Sequence, residues 1–422
     1  MRLPYGEGTL EVELPAANLM GVIHPSRAGA DGGPSAAQEQ AAVAAALAAP
    51  IGAPRLRELA RGARSAAIVV SDVTRPCPSY KFLPALLDEL AGIDPGNVRV
   101  LFALGGHRLH TEAEKRLLLG DAVAAKVEAL DLDVADCVPV GRTSRGTPLE
   151  VYRPFLEADV KIGTGNIEYH YFAGYSGGAK AVVPGICTPL AIRSNHSMML
   201  QPQARAGVLA GNPVREDIDE AGGIVGIDFV FNVLLDGRKR ILDAVAGHYL
   251  DAHREGVRLY DERFNVSIAE AADIVLASAG GHPKDINLYQ AQKTLENVRG
   301  AVRPGGTIVL AARCGEGFGQ PIFERWMREM TDPQMLIDRI RREFVLGGHK
   351  AAAVADLLLQ NDVYLVSAFP DDVVERMGMR PFADLSAALA AAFAHHGDDA
   401  RVLVVPYGNR VTAAGRGVSE RR

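Results

Sequence analysis

The sequence predicts an α/β protein of two domains, each built on a Rossmann-like parallel sheet. Three observations carry that expectation. Short β-rich apolar runs alternate with helical patterns along most of the 422 residues, the signature of strand–helix–strand units. The alternation breaks off after about residue 130 and starts afresh near 262–272, which marks a domain boundary. Unusual polar clusters fall just beyond predicted strands, where parallel sheets bind ligands.

In chain order, 66–70 is apolar throughout and reads as a buried strand, followed by a polar turn and a helix near 80–90. A second strand spans 98–104 and ends in a Gly-Gly loop. Thr111 then opens a helix, because Thr111 and Glu114 have the spacing of a capping box. Residues 138–151, turning at Gly146, and 229–242, turning at Asp236-Gly237, read as hairpins. A helix over 247–263 leads into a connecting segment at 268–273. The second series has strands at 274–277, 307–312, 363–366 and 402–405. Its helices follow Asn287, lie near Phe323, Pro333 and Lys350, and span 385–394. The expected domains are thus 1–265 and 266–405, with 406–422 a tail packing back on the first domain. The active site is expected in the interdomain cleft.

Composition narrows the function. Hydrophobic residues are 48% and charged residues 23% of the chain, which excludes disorder and collagen-like order. A net charge of -6 gives no footprint for a phosphate backbone, so no nucleic-acid partner is expected. No apolar run approaches a membrane span, and 1–6 have no signal-peptide core, so no membrane partner is expected either. Cys77, Cys137, Cys187 and Cys314 lie far apart without a CxxC pair. That argues against a disulfide framework or structural zinc and points to a reducing cytoplasm. Cys187 and Cys314 read as packing residues.

The centre of the chemistry is 168–196. After the first strand, Asp72-Val73-Thr74-Arg75-Pro76 can present a guanidinium fork to a carboxylate or phosphate; a turn in which Asp72 and Arg75 pair with each other fits equally well. After the second, Gly105-Gly106-His107-Arg108 joins a close-approach loop to a potential acid or base, while His110 is expected to face solvent. The run Tyr175-Ser176-Gly177-Gly178-Ala179-Lys180-Ala181 invites comparison with a phosphate-binding P-loop. It fails at Ala179 and Ala181, which excludes ATP hydrolysis of that kind. A Gly-Gly turn before a lysine still offers N–H groups and a cation to an anion, and a partly desolvated Lys180 can act as a nucleophile. Thr188-Pro189 starts a helix as N-cap and first residue. That helix carries His196, a potential nickel, copper or zinc ligand that cannot make a protein-only site alone. Further on, Gln290 and Lys293 share a helix face and can match a small carboxylate, although a solvated face has the same spacing. The loop Glu316-Gly317-Phe318-Gly319 is a further candidate wall.

Taken together, these segments resemble the nickel-dependent lactate racemase family. The resemblance rests on Asp72-Val73-Thr74-Arg75-Pro76, Gly106-His107-Arg108, His170 through Lys180, Pro184-Gly185, His196, and Asp285 through Lys293, in family order. Stretches 316–326 and 347–350 add to it. It implies nickel held in a nickel-pincer nucleotide (pyridinium-3-thioamide-5-thiocarboxylic acid mononucleotide) covalently attached to Lys180, with His196 completing the metal's ligands. It implies a racemase or epimerase of a 2-hydroxy acid, lactate among several, with His107 and His170 as paired bases. Arg75, Tyr289, Gln290 and Lys293 would meet the substrate; Asp72, Ser176, Gly177 and Gly178 would face the cofactor. Cofactor-biosynthesis proteins are the implied maturation partners. Trp326, the sole tryptophan, is not assigned by the motifs. Two other readings remain at this point: a zinc hydrolase using His107, His170 and His196, and a non-catalytic carrier of the nucleotide.

Overall fold

A computed structural model describes residues 1–23, 33–75, 77–236, 238–268, 270–345, 347–409 and 412–415. The chain divides into two units, Ala28–Arg263 and a second made of Met1–Arg27 with Phe264–Arg422.

Ala28–Arg263 is built on a sheet in the order Ile241–Gly247, Phe229–Leu235, Val160–Asn166, Ala66–Ser71, Val98–Ala103, Glu128–Asp131. The last five strands run parallel. Ala66 to Val70 are at most 1% exposed, as an unbroken apolar run must be when both sheet faces are covered. Because Ala66–Ser71, Val98–Ala103 and Val160–Asn166 are parallel neighbours, their carboxyl ends share one edge. The Asp72, His107 and His170 segments all leave from there.

The hairpin expected at 138–151 forms from Cys137–Arg142 and Pro148–Tyr152, with Gly146 at φ 90°. The one at 229–242 also pairs antiparallel. Its first strand continues the main sheet beside Val160–Asn166, so it is a sheet extension rather than a free-standing hairpin. Among the elements not anticipated, two position the site. Val160–Asn166 is diluted by Gly163 and Gly165, which weakens its strand signal. Helix Pro213–Val225 starts with an Asn212 cap and a proline and stops at left-handed Gly226, punctuation that was legible.

The second unit has a six-stranded sheet, Arg380–Phe382, Asp362–Val366, Val302–Ala311, Ala272–Ser278, Val402–Val405, Leu19–Val22, parallel throughout. This corrects the expected domain limits. Sequence order places the N-terminus in the first domain, yet Leu19–Val22 completes the other unit's sheet. Asn18 pins it there by donating to the carbonyls of Asp398 (2.8 Å) and Ala400 (2.9 Å). An open sheet edge binds a strand from any point in the chain. The tail differs too, since Thr412–Gly415 pairs with Asn265–Ile268 of its own unit. Residues 416–422, together with Pro76 and Gly237, lie outside the described residues. Among the described residues no helix is long and apolar enough to cross a membrane.

Candidate active site

At the end of Ala66–Ser71, Asp72 is 1% exposed. Its Oδ1 accepts from the Thr74 amide (2.9 Å) and hydroxyl (2.6 Å), and its Oδ2 is hydrogen-bonded to Nδ1 of His107. Burial alone would raise this carboxyl's pKa. The hydrogen bonds of His107 and Thr74, with the charges of His107 and Arg75, outweigh burial and hold it below the ordinary value. An ionised carboxylate cannot donate, so His107 carries a proton on Nδ1, and in the neutral ring the lone pair lies on Nε2. Asp72, expected to face the cofactor, has both oxygens engaged by its own neighbours. Arg75 is exposed, and its charge acts on Asp72, His170 and Lys180.

His110 departs from its expected exposure. Its side chain is buried against the Phe102 ring, bonded to Asp131 through Nδ1 (2.6 Å) and accepting from the Val73 amide at Nε2 (3.1 Å). A backbone N–H and a carboxylate that need partners draw the imidazole inside. His110 thereby holds the loop that carries Asp72.

Ahead of helix Pro189–Ser197 the central segment has little regular structure, a short ladder of Tyr169–His170 with Gly174–Tyr175 and one 3₁₀ turn, Gly178–Ala181. Side chains grip its carbonyls instead. Asn212 donates to Phe172 O (2.9 Å). Arg215, fully buried, donates to Ala173 O (3.3 Å), Gly177 O (3.4 Å) and Tyr175 O. His253, also fully buried, bonds to Ser176 O (2.8 Å). Such packing demands glycine. A Cβ on Gly174, at φ 75°, would fall 2.0 Å from the Val208 carbonyl oxygen, and one on Gly178, at φ 61°, would fall 2.9 Å from the His253 ring.

His170 and His196 flank one phenyl ring, with centroids 4.5 Å and 4.8 Å from that of Phe172. Nδ1 of His170 accepts from the Ala173 amide (3.2 Å). Burial first, then the charges of Lys180, Arg75, His196 and Arg215, push its pKa well below the imidazole norm. The ring is therefore neutral with its proton on Nε2, the tautomer opposite to that of His107. Gly105 N donates to Gly185 O (2.9 Å), tying the His107 loop to this segment.

Lys180 is half-buried in the turn Gly178–Ala181. Burial, followed by the charges of Arg75 and Arg215 against the opposing charge of Glu168, lowers its pKa to about 7. A large fraction of the amine is thus uncharged near neutral pH. Ser176 and Gly178, expected to face the cofactor, have groups committed within the fold. The Ser176 hydroxyl donates to Asn166 O (2.8 Å) and accepts from Glu168 N (2.9 Å), and Gly178 N donates to Asn232 (2.8 Å). Gly177, at φ 80°, offers its carbonyl to Arg215.

Helix Pro189–Ser197 presents His196. Thr188 holds the N-cap position, but its hydroxyl donates to Glu150 (2.6 Å) rather than to the helix. Next to His196, the fully buried Asn195 donates to Asp217 (2.8 Å) and accepts from His196 Nδ1 (3.2 Å), so the lone pair of His196 lies on Nε2. Helix Pro213–Val225 therefore organises both parts of the site, Arg215 under the lysine segment and Asp217 behind His196. Neither was singled out in the sequence, because charges on a helix ordinarily mark a solvated face.

In the second unit, Asn287 caps helix Leu288–Val298, on which Lys293 donates to Gln290 (2.9 Å). Tyr289 lies under Lys350, whose ammonium is 3.6 Å from the ring centroid. Asp285, 1% exposed, accepts from the amides of Gly6 (2.6 Å) and Arg313 (3.1 Å), a structural duty. Trp326 is 1% exposed, and Cys187 and Cys314 are buried. Among the described residues no three His, Cys, Asp or Glu side chains group as metal ligands. His107, His170 and His196 therefore make no three-histidine zinc site.

Residues 5–207 match the lactate racemase N-terminal domain and 267–413 the lactate racemase C-terminal domain. The chain belongs to the lactate racemase family. By that membership it is an isomerase acting on a small molecule. Lactate racemases of Thermoanaerobacterium thermosaccharolyticum and Lactiplantibacillus plantarum are similar to it. The first is 35% identical over 419 residues, 97% of each chain. The second is 33% identical over 417 residues, 96% of this chain and 97% of its own. The solved lactate racemase apoprotein of the former organism superposes with a TM-score of 0.88 at 34% identity, covering 98% of this chain and 99% of its own. A Thermotoga maritima protein at 17% identity shares the fold, with a TM-score of 0.61 over 87% of this chain and all of its own.

Proposed function

We propose that this lactate racemase family member interconverts the enantiomers of lactate or a closely related 2-hydroxy acid. The observation that carries this reading is the pair of imidazoles held in opposite tautomers by the bonds described above. His107 Nε2 is a place where a substrate hydroxyl proton is accepted and later returned; His170, neutral, offers an Nε2–H donor to the substrate oxygen and serves as the second base once its proton moves to Nδ1. Inversion requires both. Asp72 fixes the first tautomer and steadies the imidazolium formed when His107 takes the proton.

The donor set fits a nickel-pincer nucleotide. Lys180 offers a partly neutral amine for covalent attachment, amid the positive charges of Arg75 and Arg215 that suit a phosphate. His196 offers an imidazole whose Nε2 lone pair suits nickel. When bound, that group supplies a reversible acceptor for the hydrogen on the substrate's alcohol carbon. Arg75, Gln290 and Lys293 are the residues we assign to the substrate carboxylate, and Tyr289 to the pocket wall. Maturation by cofactor-biosynthesis proteins and a cytoplasmic location complete the proposal.

The test is protein co-produced with those maturation partners. An adduct on Lys180, one nickel per chain, inversion of a 2-hydroxy acid and exchange of its C2 hydrogen are expected. Zinc without an adduct overturns the reading, as does an adduct with neither inversion nor exchange. A panel of 2-hydroxy acids in both enantiomers then names the substrate.

A further inference from the structure

We propose that Arg215 is a positioning residue for Lys180, clamping the segment that presents the amine and setting an only partly neutralised positive charge beneath it. The inference rests on Lys180 being the reactive amine of the proposed function.

The geometry is direct. The Gly177 carbonyl oxygen accepts both from Arg215 Nη1 (3.4 Å) and from the backbone amide of Lys180 (3.3 Å), so one atom joins guanidinium and lysine. Two further carbonyls of the same segment, those of Ala173 and Tyr175, also accept from the fork. Carbonyls satisfy N–H groups but do not cancel a charge. The carboxylate bonded to Arg215, Asp219, stands 3.5 Å away and is shared with Arg254. The guanidinium is fully buried, so water does little to screen its field.

The charged groups acting on Lys180 are Arg75 and Arg215, which disfavour its ammonium form, and Glu168, which favours it. His170 is neutral beside it and feels the same lysine and arginine charges. Arg75 is exposed and screened by solvent, whereas Arg215 is fully buried and bonded to three carbonyls. A lysine attached to a nucleotide must first be a free amine. Burial of an arginine against carbonyls serves that need without putting any group in the reactive space.

The readout is the pH dependence of Lys180 acylation by acetic anhydride in the unloaded full-length chain. Peptide mass spectrometry follows it, with exposed Lys284 as internal reference. The wild-type midpoint is expected at about 7. Arg215→Met should raise it by about one unit, a roughly tenfold loss of labelling below the midpoint. Arg215→Lys, which keeps the charge, should retain most of the wild-type behaviour. Asp219→Asn removes the partial counter-charge and should lower the midpoint. A folded Arg215→Met protein with the wild-type midpoint overturns the proposal. If that variant does not fold, a raised or unchanged midpoint in Asp219→Asn overturns it instead. An unmodified Lys180 in matured wild-type protein overturns the tether reading alone, because acylation is measured without the cofactor.

Discussion

Asp72 Oδ2 is hydrogen-bonded to His107 Nδ1, joining the carboxyl ends of two neighbouring parallel strands. The acid is 1% exposed and the imidazole side chain 40% exposed. A buried, oriented carboxylate thus aims a partly solvated base. Thr74 holds the opposite carboxylate oxygen, which leaves Asp72 little freedom to turn.

Asp72→Asn keeps the volume but lets the amide donate, which favours the wrong His107 tautomer. Turnover should fall by about 10²–10⁴-fold with little change in substrate affinity, and the Lys180 adduct should persist by intact mass. Stability carries a second signature. The folded-state carboxyl lies below its ordinary value. Its contribution is therefore complete above the unfolded value of about 4 and is lost as pH falls through the folded one. Thermal melts across the acid range should show a flatter limb in the variant; wild-type turnover in Asp72→Asn would disprove the dyad's role.

Lys180→Met removes a half-buried charge that the fold tolerates poorly. Because the folded pKa is lowered to about 7, the unfolded chain binds more protons between there and the ordinary lysine value of about 10.4. Wild-type stability should rise with pH across that window, and the variant should lack the rise. At pH 6 the variant should melt higher, by roughly 2–6 °C. Matured variant protein should carry no adduct. Equal melting at pH 6 would refute the half-buried-charge account.

His110→Ala strands the Val73 amide and the Asp131 carboxylate. The expected cost is about 2–4 kcal/mol by denaturant unfolding. Where the variant is folded, kcat should drop with it, because the same loop carries Asp72. A loss of stability with unchanged kcat would mean that the Asp72–His107 pair holds itself in place.

His196→Ala tests the metal assignment apart from the tether. The matured variant should keep the Lys180 adduct and lose most of its nickel on desalting, read by elemental analysis alongside intact mass. Asn195→Ala should show the same loss more weakly, since Asn195 orients the ring through Nδ1. Full nickel retention in His196→Ala would place the ligand elsewhere.

Much of this was legible before any coordinates. The apolar run at 66–70, the capping pair Thr111 and Glu114, and the helical pattern after Asn287 all describe local chemistry, and each forms the expected element. The candidate site's residues were legible as types in an order that resembles the family's. Their partners were not. Asp72 as the His107 acceptor, His110 as an interior acceptor, and Arg215 and Asp217 as buried charges all depend on neighbours 21 to 40 or more residues away. No spacing rule reaches that far.

By itself, the sequence indicated most strands and helices of the two main sheets, the glycine turns beyond predicted strands, and a set of titratable groups for the candidate site. Periodicity and capping act within a few residues, so a linear reading captures them. Only the tertiary structure decided the domain of Leu19–Val22, the two imidazole tautomers and the depressed pKa of Lys180. Strand addition, hydrogen-bond direction and desolvation depend on what chain folding brings close, and none of these is a property of a residue alone.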